Sequence, residues 1–336
     1  MGELFAGRYE LVDPLGSGGM GSIWRCWDHR AGTYLAAKVL RQSDASSLMR
    51  FVREQSYRVR HPHVVTPLGW AGEDDRLLFT MPIVRGGSVA TLLGDFGRLP
   101  SGWVVTLVDQ LLDALAAVHA IGLVHRDVKS ANLLLQPTGR ARPHLLLSDF
   151  GIAAVVGEPR LTRVSDVVGT PGYFAPEQLR GAGPDPRQDL YGVGIVAAEM
   201  LTGLSPAREV HVGGEAPDGC PAALWRLASA LAAHHPDDRP ASADRAREAL
   251  AAASAPHGWP PSPAGDVEVF DQMPPLPPGW SAAGPCRLTA PATTTAPSPT
   301  RPADAVRTRF AVAVVLIVLG IALMALAAIL LATSSG

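Results

Sequence analysis

Residues 124–132 read Val124-His125-Arg126-Asp127-Val128-Lys129-Ser130-Ala131-Asn132. Lys129 is one of only two lysines in the chain; the other is Lys38, and every other cation among the 29 Lys and Arg residues is arginine. An ammonium is a compact point charge that fits between phosphate oxygens, whereas a guanidinium is wider and forks its hydrogen bonds. At Lys38, inside a strand, keeping Lys is what phosphate binding in a tight site would require.

The surroundings fit that reading. Upstream, Trp103 to Ile121 carries Val104, Leu107, Val108, Leu111, Leu115 and Val118 at helical spacing. Downstream stand Asp149-Phe150-Gly151 and Gly169-Thr170-Pro171-Gly172-Tyr173-Phe174-Ala175-Pro176-Glu177. Near the N-terminus, Gly16-Ser17-Gly18-Gly19-Met20-Gly21 is a G-x-G-x-x-G run. Alone it fits a dinucleotide fingerprint, a phosphate loop or a plain turn. A dinucleotide loop opens a helix, but here the bulky, β-prone Ser22 to Trp27 follows, so the glycines join two strands. No G-K-[ST] follows, which excludes a Walker loop. Strands are expected at Tyr9–Pro14, Ser22–Asp28 and Tyr34–Leu40, the last holding Lys38, and helices at 188–202, 221–233 and 241–253. Strands first and helices after give an α+β fold with two unequal lobes.

H-R-D-x-K-x-x-N, D-F-G and A-P-E, in this order behind a Gly-rich loop and an A-x-K strand, form the protein-kinase signature set. The chain thus resembles a bacterial eukaryotic-like Ser/Thr protein kinase over about residues 9–253. The resemblance implies a bilobed fold, with a small β-rich N-lobe at about 9–81, a hinge at 82–84 and a larger helical C-lobe at 85–253. It implies ATP and Mg²⁺ as cofactors and proteins with Ser or Thr acceptors as substrates. Gly16, Ser17, Gly18, Gly19, Met20 and Gly21 would cover the ATP phosphates, and Lys38 would contact the α- and β-phosphates. The partner of Lys38 would be a glutamate after the third strand, and Glu54 is the one glutamate between Lys38 and Trp70. Asp127 would take or orient the acceptor hydroxyl proton, Lys129 would steady the transferring phosphoryl, and Thr170 would hydrogen-bond near both. Asn132 and Asp149 would hold Mg²⁺. Ile23, Ala36 and Leu134 would wall the adenine site, with Met81 as gatekeeper and Pro82 to Val84 as the hinge; Pro82 lacks an N–H, but Val84 has one. Asp189 would orient the catalytic loop, and Glu177 with Arg239 would form an ion pair in the large lobe. Thr162 and Ser165, with Arg126 as the cation to meet a phosphate, would be autophosphorylation sites. Dimerisation through the small lobe is a further implication. The rival reading is a pseudokinase scaffold, but the residues at Lys38, Asp127 and Asp149 that such proteins tend to lose are all present.

One departure concerns residues 204–220, where the family carries a longer stretch with a further helix. Here the stretch is short and rich in Gly and Pro, so that helix is expected to be reduced or missing.

Composition organises the rest. Charged residues are 18 % of the chain against 47 % hydrophobic, less charge than the roughly 25 % of an average soluble protein. The net charge of −2 gives no basic body for nucleic acid. Cys26, Cys220 and Cys286 are far apart, which excludes a disulfide framework or a zinc site. Between Pro256 and Pro302 lie 13 of the 30 prolines, so residues 254–309 read as a disordered linker. Within it, Met273-Pro-Pro-Leu-Pro-Pro-Gly-Trp280 could serve as a polyproline ligand. Residues 310–332 carry no charge, and at 1.5 Å per residue such a helix reaches roughly 35 Å, enough for one membrane span. Arg301, Arg307 and Arg309 precede it, so the positive-inside rule places the kinase domain in the cytoplasm of a single-pass cell-membrane protein, with residues 333–336 extracytoplasmic.

Overall fold

The computed structural model describes residues 2–18, 21–41, 59–73, 76–149, 154–155, 172–206, 212–254 and 267–286. Gly19, Met20, Glu54, Thr162, Ser165, Thr170 and the 310–332 run lie outside the described residues.

The N-terminal part is an antiparallel sheet of six strands: β1 (Leu4–Phe5), β2 (Tyr9–Gly18), β3 (Gly21–Asp28), β4 (Thr33–Arg41), β5 (Gly69–Glu73) and β6 (Arg76–Met81). Their order across the sheet is β1-β2-β3-β4-β6-β5. The domain starts ahead of residue 9, because Phe5 pairs with Tyr9 and is fully buried. Side chains alternate along a strand. On β4, Leu35 and Ala37 therefore turn into a core with Phe5, Tyr9, Leu11, Cys26 and Leu78, while Ala36 and Lys38 share the other face. Register places Lys38 opposite Ile23 on one side and Phe79 on the other, and Ala36 opposite Met81. Burial raises the Cys26 thiol to about 12, so it remains a neutral core group.

Past residues 82–84 the chain turns helical. Ser88 caps α1 (Val89–Phe96): its side chain accepts from Thr91 N at 3.2 Å, and Thr91 Oγ1 accepts from Ser88 N at 2.8 Å. The periodic stretch forms α2 (Ser101–Ala120), and its six spaced apolar residues are all buried. Then follow β7 (Leu123–Val124), β8 (Leu133–Leu135), β9 (Leu145–Leu147) and β10 (Ala154–Val155). Short hairpin-like pairs join β8 to β9 and β7 to β10. The helices α3 (Pro176–Leu179), α4 (Pro186–Thr202), α5 (Ala222–Leu231) and α6 (Ala243–Ser254) complete the lobe. Asp185 caps α4 by accepting from Arg187 N at 2.8 Å, Pro186 sits at its first turn, and Gly203 ends it at φ +73°. A second, larger core joins α2, α4, α5 and α6 with β8 and β9. Two separate cores make two lobes, as expected from the sequence. The described residues between Gly203 and Pro221 form turns and no helix.

The linker expectation is corrected in part. Residues 267–286 carry a short β11 (Trp280–Ser281) and β12 (Gly284–Pro285) and belong to the same compact unit as the rest of residues 1–286. Val267 and Val269 are buried in the larger core, which a count of prolines does not reveal.

Candidate active site

The loop between β7 and β8 presents Asp127, Lys129 and Asn132 together. Asp127 is buried, and its carboxylate accepts from Lys129 Nζ at 3.1 and 2.8 Å and from Asn132 Nδ2 at 2.9 Å. Asn132 Nδ2 also donates to the Asp127 carbonyl at 2.8 Å. A buried carboxylate held by an ammonium and an amide has its charge balanced by its donors. Such a group can fix the position of a hydroxyl and accept its proton.

The loop is held from beneath. Asp189, at the start of α4, accepts from the backbone N–H of His125 at 2.8 Å and of Arg126 at 2.7 Å, and meets His119 Nε2 of α2 at 2.8 Å. Arg126 has φ +66°, a left-handed conformation that costs a non-glycine residue about 1 kcal/mol or more. The two bonds into Asp189 hold that turn. His125 is fully buried; its Nδ1 accepts from Asp127 N at 3.3 Å, so the proton sits on Nε2, which faces the Ser148 carbonyl at 2.9 Å. Ser148 in turn donates through both N and Oγ to the Asn132 carbonyl, each at 2.9 Å. These bonds tie β9 to the loop between β7 and β8 and deliver Asp149, which follows at φ +65°.

Lys38 Nζ bonds Asp149 Oδ1 across the two lobes. With its amide nitrogen committed to Asp127, Asn132 has its side-chain oxygen left to offer, and Asp149 has a second carboxylate oxygen. One carboxylate and one carbonyl form a hard, all-oxygen donor set, which matches the way Mg²⁺ is held together with phosphate oxygens. The residues present fit that ion. On the sheet side, Ser17 pairs with Ser22 and Gly18 with Gly21, so the glycine run does turn strand into strand. Gly21 has φ +138°, and a Cβ there would collide with the Val39 carbonyl. Leu134 sits on β8 and bridges to Ser88, just before α1.

Outside this cluster, Arg239 is fully buried and grips Glu177 at 2.6 and 2.9 Å. Sequence reasoning passed over a polar chain beside the catalytic loop: Ser130 Oγ lies 3.0 Å from Tyr173 Oη, which donates to Glu199 at 2.7 Å. Burial pushes the Glu199 carboxyl up, and the bond from Tyr173 pulls it back down. It also passed over His119 and Ser148. Their positions follow from the packing of α2 and β9 and carry no motif of their own.

A family model described as protein kinase domain matches residues 9–222. Among curated proteins, the chain is 38 % identical over 266 residues to the serine/threonine-protein kinase PkaA of Streptomyces coelicolor, covering 71 % of this chain and 49 % of that one. It is 34 % identical to the serine/threonine-protein kinase pkn3 of Myxococcus xanthus, covering 75 % and 51 %. It is 40 % identical to the DNA damage-responsive serine/threonine-protein kinase RqkA of Deinococcus radiodurans, covering 61 % and 31 %. The chain spans about half the length of the first two of these relatives, and less of the third.

Proposed function

This chain belongs to the protein kinase domain family, and from that premise we propose that it is a membrane-tethered serine/threonine protein kinase using ATP and Mg²⁺. The observation that carries the reading is the buried Asp127 carboxylate held between Lys129 and Asn132. Asp127 Oδ accepts the proton of a Ser or Thr hydroxyl as its oxygen attacks the γ-phosphorus of ATP. The bond from that phosphorus to the ADP oxygen breaks, and the charge departs with ADP. Lys129 Nζ, next to Asp127, neutralises the charge that spreads over the transferring phosphoryl oxygens. Lys38 supplies the second ammonium, at the α- and β-phosphates. Asn132 and Asp149 are the residues that would hold Mg²⁺, which would supply neutralising charge beside the phosphates. Gly16 to Gly21 cover the phosphates through backbone N–H groups, and Ile23, Ala36, Met81 and Leu134 flank the adenine. The relatives' names support Ser/Thr as the acceptor.

Incubation with labelled ATP and Mg²⁺ tests the assignment. Asp127→Asn is expected to lower phosphoryl transfer by roughly 10²–10⁴, the range for loss of a positioned base. Equal signal from both proteins overturns the catalytic reading in favour of a scaffold. Thr162 and Ser165 are proposed as autophosphorylation sites, so an unmodified 160–168 peptide from active enzyme in mass spectrometry removes them. The apolar 310–332 run supports the tether, and recovery of the intact chain in the soluble fraction of cells rules it out.

A further inference from the structure

Residues 267–286 of the proline-rich segment run along both lobes. At the C-lobe, Val269 exchanges both backbone hydrogen bonds with Gly139, each at 2.9 Å, and is 1 % exposed. Next to the hinge exit, Gln272 N donates to the Arg85 carbonyl at 2.7 Å, and Asp271 pairs with the Arg85 guanidinium at 2.7 Å. The segment then reaches the N-lobe sheet. Arg25 donates to the Pro275 carbonyl at 3.1 Å, and Tyr34 Oη donates to the Ser281 carbonyl at 2.6 Å. The Trp280 ring lies 6.1 Å from that of Tyr34, which packs edge-on against Trp27 at 4.8 Å. Gly284 lies so close to the Trp27 ring that a Cβ there would sit 2.5 Å from it.

The composition suits this course. Prolines 274, 275, 277 and 278 have no N–H to satisfy, keep their carbonyls as acceptors, and restrict the free chain to extended shapes, so little entropy is lost on docking. The anchors are not incidental to the site. Arg25 lies on β3, the strand that starts at Gly21, and is clamped by Asp13 of β2, the strand that carries Gly16 and Gly18. Arg85 follows directly on the 82–84 hinge. A segment fixed to β3, to the hinge exit and to the C-lobe spans the same gap as the hinge.

We propose that residues 267–286 are an intramolecular strap that sets the separation of the lobes for nucleotide binding, with Arg25, Tyr34 and Trp280 as positioning residues at its N-lobe end. This rests on the ATP-dependent reading above. Among the described residues, no hydrogen bond or ion pair joins the strap to Lys38, Asp127, Lys129, Asn132 or Asp149, so it acts on the population of lobe arrangements that bind nucleotide. When that competent fraction falls, the apparent dissociation constant rises in proportion.

The test uses the full chain in detergent, with Val269→Asp to release the C-lobe end and the milder pair Tyr34→Phe with Trp280→Ala to release the other. Hydrogen exchange on nucleotide-free protein reads whether 267–286 has come off. Calorimetry with Mg-ADP reads affinity without needing turnover, and kinetics separates KM for ATP from kcat. Release of the strap is expected to raise the ADP dissociation constant and KM for ATP about fivefold to tenfold, with kcat within about twofold. The proposal is overturned if the strap amides exchange freely in the unaltered chain, or if either variant frees them while ADP affinity and KM stay unchanged. An unaltered chain that binds ADP but transfers no phosphoryl group refutes the kinase reading alone, because the exchange and ADP measurements still decide the strap.

Discussion

Asp28 shows how much one side chain at a strand end can hold. Its carboxylate accepts two bonds from Arg8, at 2.9 and 2.7 Å, and one each from the N–H groups of Arg30 and Ala31 at 3.0 and 3.2 Å. The hydrogen bonds from Arg8 chiefly hold its pKa below the ordinary 3.8, against the opposing pull of burial. A carboxyl depressed in the folded state contributes stability that is present above the unfolded pKa and lost as pH falls through the folded one. Asp28→Asn should therefore cost about 1.5–3 kcal/mol at pH 7, the range for hydrogen bonds to a charged group, and progressively less as pH falls below 3.8. Urea unfolding of both proteins at pH 7 and pH 3 checks this, and a gap that does not shrink on acidification rules it out. At this scale the chemistry was legible and its support was not. Lys38 and Lys129 stand out because the chain uses arginine for its other cations. His119 reaches Asp189 only because α2 and α4 pack side by side.

At the scale of elements, composition and packing give opposite answers for Gly192 in the middle of α4. Helix propensity favours Ala over Gly by about 1 kcal/mol. Yet a Cβ at Gly192 would stand 2.8 Å from Val128 Cβ and 2.9 Å from the Val128 carbonyl, on the catalytic loop itself. Packing decides the sign, so Gly192→Ala should destabilise by about 1–3 kcal/mol, as overpacking does, and lower kcat by displacing Asp127. Thermal unfolding with a matched activity assay reads both, and a raised Tm with intact kcat contradicts the close approach. Helix α2 teaches the same lesson. By length and hydropathy it could cross a membrane, but most of it is buried within the C-lobe core. Its apolar spacing was readable as a helix, whereas its place at the centre came from the elements folded around it.

Across the whole molecule, Arg239 ties together segments far apart in sequence: Glu177 on α3, the Arg187 carbonyl at the start of α4, and the Ala233 and His234 carbonyls past α5. Arg239→Leu strands a largely buried carboxylate and should cost about 3–5 kcal/mol, while Glu177→Leu with Arg239→Leu should cost less, because the orphaned charge is gone. Denaturant midpoints for the two variants decide it, and equal losses would show that Glu177 is not what suffers. The amino-acid sequence by itself pointed to the α+β class, the two lobes, the main strands and helices, and the residues proposed for the phosphates. Those features follow from hydrophobic period, from glycines where the backbone must turn tightly, and from the chemistry of single side chains, all of which are local properties. Only the tertiary structure decided that Asp189 holds the catalytic loop, that α4 needs a glycine against Val128, and that a proline-rich stretch read as free linker docks in part across both lobes. Each of these depends on surfaces brought together from distant parts of the chain, where burial and shape rather than local pattern set the free energy.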